Sequence, residues 1–214
     1  MEPEEHSKAP RSAQNCCQTY PRSGGVFEGV PIGKSPLCKL PTPFIPSWTP
    51  PKQGWFKANV DGAVSMEKGC CGIGVVIRNA EGQLMGAMSK RLELPLKALE
   101  AEAMAVQEGV QLAWDLGLKE VVVESDSSTV IFALSSANPP PWSIQKVIEG
   151  SKQSLNRFNS WIATHICRSG NVAAHLMAKN AITVADCIVW VEDIPPIIAM
   201  QVSKDVSTLN VVSS

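Results

Sequence analysis

The stretch Asn59-Val60-Asp61-Gly62-Ala63 closes a strand-like run that begins at Trp55-Phe56-Lys57, and the rest of the chain is organised around it. Successive side chains of a strand alternate, so Phe56, Ala58 and Val60 share one face while Lys57, Asn59 and Asp61 share the other. Asp61 closes the strand on this reading. Gly62 then lets the backbone bend sharply and leaves the carboxylate unshielded by a neighbouring side chain. Asp-Gly is also the commonest way to make a turn, so the pair alone does not distinguish a site from a turn.

Two more acids stand where a cluster can form. Leu99, Ala103, Val106, Val110 and Ala113 recur at helical spacing and predict an amphipathic helix over about 98–116. At about 100° per residue, Glu102 lies at the edge of the apolar stripe, one turn from Leu99 and Val106. Glu108 points the opposite way and Glu100 to the side, as solvated acids. The third acid, Asp126, directly follows Val121-Val122-Val123-Glu124-Ser125, which reads as a strand buried on both faces. Asp126 is read either as a carboxylate at that strand's carboxyl end or as the N-cap of a short helix running to about Leu134, with Ser125 and Ser127 as competitors. If the first and fourth strands are parallel neighbours joined through the long helix, their ends lie about 5 Å apart and the three acids converge. Carboxylates gathered without a Lys or Arg between them repel one another, and a hard divalent cation, magnesium or manganese, is what neutralises them.

Asn-Val-Asp-Gly-Ala at 59–63, Glu-Ala-Glu-Ala-Met-Ala at 100–105 and Val-Glu-Ser-Asp-Ser at 123–127, in this order, resemble the motifs of the type 1 ribonuclease H fold. More closely, the chain resembles the ribonuclease H-like module of plant retroelement-derived, reverse-transcriptase-like proteins, from Trp48 to about Val206. The resemblance implies a metal-dependent endonuclease that cuts the RNA strand of an RNA-DNA hybrid, with Asp61, Glu102 and Asp126 as catalytic and metal-binding residues. It implies two Mg2+ or Mn2+ ions about 4 Å apart, with Glu102 beside the ribose 2′-hydroxyl. The family pattern Asn-x-x-Ala-Asp-x-Leu-Ala is matched by Asn171-Val172-Ala173-Ala174-His175-Leu176-Met177-Ala178, so His175 stands where a fourth acid is expected. A neutral nitrogen there lowers the site's negative charge by one. His175 then either positions water and accepts a proton, or is a surface histidine over an inert site. His165 falls inside an apparent strand and takes no role. Family members that hold hybrids tightly carry a basic helical protrusion, whereas here the interval holds Ser135-Ser136-Ala137-Asn138 and prolines.

Composition narrows the classes. With 44% hydrophobic residues among 214, one domain of ordinary size with tails has a sizeable core, and a net charge of -1 exerts no global pull on nucleic acid. No apolar run reaches membrane-spanning length and the amino terminus lacks a secretory pattern, so the expectation is a soluble, intracellular, monomeric protein. Seven cysteines, an odd number with no Cys-x-x-Cys, read as reduced and non-catalytic.

In chain order, residues 1–52 are rich in Pro, Ser and Gly and predict a disordered segment, with Trp48 docking on the domain edge. A ribonuclease H-like domain over 53–206 follows, then a frayed tail over 207–214. Its fold class is α/β: a mixed five-stranded sheet, three antiparallel strands and then two parallel ones, flanked by helices. Strand two spans about 71–78, with Gly72 and Gly74 allowing close backbone approach. Strand three spans about 83–90, strand four 120–124 and strand five 159–167. Trp142 is expected to anchor a helix whose buried stripe is Ile144, Val147, Ile148, Ser151 and Leu155, with Lys146, Lys152 and Arg157 outside. A helix over 172–182 comes next, and the stretch from Trp190 onward is expected to pack on the sheet up to about Val206. The hybrid nuclease is the leading reading. The alternatives are a catalytically inactive nucleic-acid or protein binding module, or a nuclease acting on structured or double-stranded RNA.

Overall fold

The computed structural model describes residues 48–212, with side chains through Ser207; the expectation for residues 1–47 lies outside the described residues. Three strands come first, β1 (Phe56–Ser65), β2 (Cys70–Arg78) and β3 (Leu84–Leu92), followed by α1 (Ala98–Asp115) and β4 (Glu120–Ser125). The remainder is α2 (Ser128–Ser135), α3 (Gln145–Leu155), β5 (Ser160–His165), α4 (Val172–Ala181), β6 (Cys187–Val191) and α5 (Pro196–Val212). The strands lie in the order β5-β4-β1-β2-β3-β6. β1, β2, β3 and β6 pair antiparallel in turn, whereas β4 runs parallel to β1 and β5 parallel to β4. The expected mixed sheet is therefore present, with six strands rather than five. The added strand, Cys-Ile-Val-Trp-Val, is rich in β-branched residues but sits at an edge, so its side chains lack the buried alternation that marks an inner strand.

Both faces of the sheet are covered. Val60, Val75, Val106, Val110, Val121, Ile148 and Leu155 belong to one apolar cluster that joins the sheet to α1 and α3. Val76, Ala87, Met177, Ile198 and Val202 form a second cluster, beneath α4 and α5. Fully burying one such valine or leucine contributes about 1.5–3 kcal/mol, which is why the helical stripes dock as the sequence periodicity predicts. Gly74 in β2 does what the sequence suggests. A Cβ there would collide with the α4 backbone at Ala174 and Ala178.

Gly62 corrects the reading of the strand end. β1 does not bend at Asp61-Gly62 but continues to Ser65, pairing with β2 all along its length. The glycine is required by packing instead. A Cβ on Gly62 would lie 2.5–2.7 Å from Ala101 C, Ala101 O and Glu102 N, all backbone atoms of α1. Gly62→Ala is therefore expected to destabilise the fold by about 1–3 kcal/mol, read as a lower urea midpoint. Because α1 carries Glu102, the same substitution displaces that carboxylate.

On the α4/α5 face lies a buried polar network. Lys57 Nζ pairs with Glu124 Oε1 at 3.0 Å, and Asn59 Nδ2 donates to Glu124 Oε2 at 2.9 Å. Arg78 donates to Asn59 Oδ1 at 3.3 Å and to Asp205 of α5 at 2.7 Å, while stacking on Trp48 at 3.8 Å. Trp48 is wholly buried, so the packed unit begins before residue 53.

Two further expectations change. Trp142 is 90% exposed and anchors nothing; Ile144, Ile148, Ser151 and Leu155 hold α3. α5 continues helical to Val212 where a frayed end from residue 207 is expected. Among the described residues, no helix is long and apolar enough to cross a membrane.

Candidate active site

The parallel pairing of β1 with β4 sets Asn59 opposite Glu124, so Asp61 within β1 and Asp126 just past the end of β4, each two residues further on, lie side by side. α1 passes over Gly62 and brings Glu102 to the same point. One carboxylate oxygen from each of Asp61, Glu102 and Asp126 lies within 4.8 Å of the others. The cap position of α2 is Ser127, so Asp126 does not serve as its N-cap.

Each carboxyl has a distinct setting. Glu102 accepts weakly from Ser125 Oγ at 3.5 Å, and Ser125 Oγ also accepts from the Ser127 N–H at 3.1 Å. Burial, then the charges of Asp61 and Asp126, push the Glu102 carboxyl from its ordinary 4.5 up to about 8, opposed by the Gly62 N–H and the Ser125 hydroxyl. Burial also raises Asp61 from 3.8 to about 6; the His175 hydrogen bond pulls it down and the Asp126 charge pushes it up. Without a cation, Glu102 therefore holds its proton at neutral pH. Burial is the leading cause for both groups, and the charge of the neighbouring acids adds to it.

α4 supplies the remaining members. His175 Nδ1 lies 3.0 Å from Asp61 Oδ2, so the position expected to hold a fourth acid faces the cluster. Arg168, in the loop before α4, places its guanidinium 3.3–3.4 Å from both ring nitrogens and lowers the Asp61 carboxyl from a distance. Arg168 falls between the expected fifth strand and the helix over 172–182, and its one signal in the sequence is a cation seven residues ahead of the substituted position. Asn171, wholly buried, donates to Val60 O at 2.9 Å and pins the start of α4 to β1. His165 ends β5, with Nε2 3.2 Å from Asp126 O, and does not join the carboxylates. Of the cations on and after α3, Lys152 is bound to Ser136 O and Arg157 stacks on Trp114 at 3.9 Å.

The profile of the reverse transcriptase-like family matches residues 59–181, the span that holds all four predicted site residues. The chain belongs to the reverse transcriptase-like family. An Arabidopsis thaliana protein that carries the name of a ribonuclease H is 27% identical to this family member over 140 residues, which make up 64% of this chain and 22% of that protein's length. Ribonuclease H1 of the halophilic archaeon Halobacterium salinarum NRC-1 superposes with a TM-score of 0.57 at 22% identity, over 60% of this chain and 98% of that one. A compost-derived ribonuclease H1 solved with an RNA/DNA hybrid gives 0.53 at 21% identity, over 60% and 96%. The fold of this reverse transcriptase-like chain is thus that of ribonuclease H.

The raised carboxyls carry a measurable sign. An acid whose pKa is higher when folded binds more protons in the folded state, so its stabilising contribution is complete at low pH. That contribution is lost as pH rises through about 6 for Asp61 and about 8 for Glu102. A divalent cation bound there would compete with those protons. Mn2+ affinity is therefore expected to climb between pH 6 and 8 with proton release on binding, measured by calorimetric titration in two buffers of different ionisation enthalpy.

Proposed function

We propose that the chain is a metal-dependent ribonuclease that cuts the RNA strand of RNA-DNA hybrids. The single observation that carries this reading is the convergence of Asp61, Glu102 and Asp126 donor oxygens within 4.8 Å. The donor set fits Mg2+ or Mn2+: hard carboxylate oxygens, no Lys or Arg among them, and two acids held protonated well above their ordinary range. A divalent cation bound there supplies charge neutralisation and Lewis acidity at the scissile phosphate.

The protein's own groups then have defined tasks. Asp61, Glu102 and Asp126 would hold the cation. Ser125 and the Gly62 N–H orient Glu102, and His175 orients Asp61 through its Nδ1. With Asp61 ionised, that nitrogen donates to the carboxylate, while Nε2 faces the Arg168 guanidinium at 3.3 Å. Phe132 on α2 and Trp142 ahead of α3, 65% and 90% exposed, offer stacking surfaces to nucleic-acid bases and sugars. Strand choice would rest on the ribose 2′-hydroxyl rather than on base sequence. The chain has no basic protrusion between α2 and α3, consistent with weak hybrid affinity.

One observation favours a second reading, a nucleic-acid-binding module without turnover. His175 occupies an oxygen of Asp61, and Arg168 adds positive charge beside it, so the cluster attracts a cation less than four acids would. A labelled hybrid incubated with the protein in Mn2+, alongside His175→Asp, separates the two. His175→Asp is expected to raise Mn2+ affinity and turnover by about tenfold or more, while lowering cation-free stability through like-charge repulsion. Cleavage absent from both proteins supports the binding module instead.

A further inference from the structure

We propose that the outer edge of β6 is a docking site for an extended protein strand with apolar alternation and a basic residue at each end. β6 closes the sheet beside β3. The Asp186 carbonyl accepts from the Arg91 N–H at 2.7 Å and the Glu192 N–H donates to Met85 O at 3.3 Å. In an antiparallel pair the inward-bonding residues alternate, so Asp186, Ile188, Trp190 and Glu192 bond toward β3. Cys187, Val189 and Val191 consequently aim their N–H and C=O groups away from the sheet.

Natural sheet edges are guarded by lysine, proline or a bulge. Among the described residues this one is not. Cys187 through Val191 contain no charge and no proline, and the β3 pairing is regular along the strand. Ile188, Val189 and Val191 are 41%, 46% and 56% exposed, and Ile194 and Ile197, beyond the strand, are 42% and 43% exposed. The opposite edge, β5, has a shorter apolar run, Trp161-Ile162-Ala163, flanked by the polar Ser160, Thr164 and His165, with no acidic pair at its end.

Charge selects the occupant. Asp186 precedes the strand and Glu192 and Asp193 follow it, all exposed, and none of the three is in a salt bridge among the described residues. Glu192 adopts φ 57, a left-handed conformation that ends the strand and sets the acidic pair at its tip. A second copy fits poorly. Antiparallel self-pairing centred on Val189 places Asp186 opposite Glu192 on both sides of the two-fold axis, like charge against like. An incoming strand with lysine or arginine at both ends meets opposite charge at each end and completes the hydrogen-bond ladder between, the strand-addition mode of recognition.

The experiment is a calorimetric titration of the full chain with an extended peptide of alternating valine and threonine closed by a lysine at each end. Saturable one-to-one binding is expected, weakened by added salt, and the same peptide closed by glutamates should bind at least about tenfold more weakly. Val189→Lys, with a charge in the middle of the row, should lose binding and keep its thermal midpoint. The exposed pair Asp186→Lys with Glu192→Lys should reverse the peptide preference, so the idea stays testable if the first variant misfolds. Absence of binding by the lysine-ended peptide, equal binding of both peptides, or undiminished binding by Val189→Lys would overturn the proposal. So would sedimentation showing a dimer that Val189→Lys dissolves.

Discussion

Asp61→Asn is expected to lower hybrid cleavage in Mg2+ or Mn2+ by about three orders of magnitude or more, and to do so without unfolding the chain. Removing one preorganised charge from a water-poor site costs about that much in rate, and here the charge lost is a cation ligand as well. The side chain is nearly isosteric and only 2% exposed, so the packing around it is retained. Stability separates this loss from a structural one. Asn mimics the protonated carboxyl, which burial already favours up to about pH 6, so above that pH the cation-free variant should be at least as stable as the parent. The pair of measurements is a gel assay of hybrid cleavage and thermal unfolding with and without Mn2+. Parent-like turnover by the variant would remove Asp61 from the site, and with it the proposed chemistry.

The second large effect concerns the fold. Arg78→Ala should cost about 3–5 kcal/mol, the range for breaking a buried ion pair from one side. Arg78 is fully buried, pairs with Asp205 at 2.7 Å, reaches Asn59 and stacks on Trp48. Truncation strands the Asp205 carboxylate inside the protein and leaves Trp48 over a void. Replacing both partners, Arg78→Met with Asp205→Leu, should recover most of the loss, because two apolar side chains leave no charge to desolvate. Urea unfolding of the single and double variants checks both statements. Equal loss in the two would assign the effect to packing on Trp48 and not to the ion pair.

The acids were legible for a local reason. Asp61 and Asp126 each follow a run whose β pattern is readable, and the periodicity of α1 alone sets Glu102 at the edge of its stripe. What stayed illegible depends on partners remote in sequence. Gly62 looked like a bend because Asp-Gly usually is one, yet its absent side chain serves α1, thirty-nine positions further on by the Ala101 contact. Trp142 looked like an anchor because tryptophan is usually buried, and only the packed surface shows it standing out. β6 escaped notice because an edge strand bears no buried alternation. Lys57 and Glu124 are buried against each other, a pairing that no local pattern signals.

The sequence by itself determined the elements and their amphipathic faces, the order of the three acidic motifs and the histidine in the fourth acid's place, since each follows from periods of two or 3.6 residues or from identity at a single position. Only the tertiary structure decided that these groups meet. The contact between His175 and Asp61 spans 114 positions and depends on strand register, on Asn171 fastening α4 to β1, and on the lack of a side chain at Gly62. Such coincidences are set by packing across the sheet, to which no local repeat in the chain is sensitive.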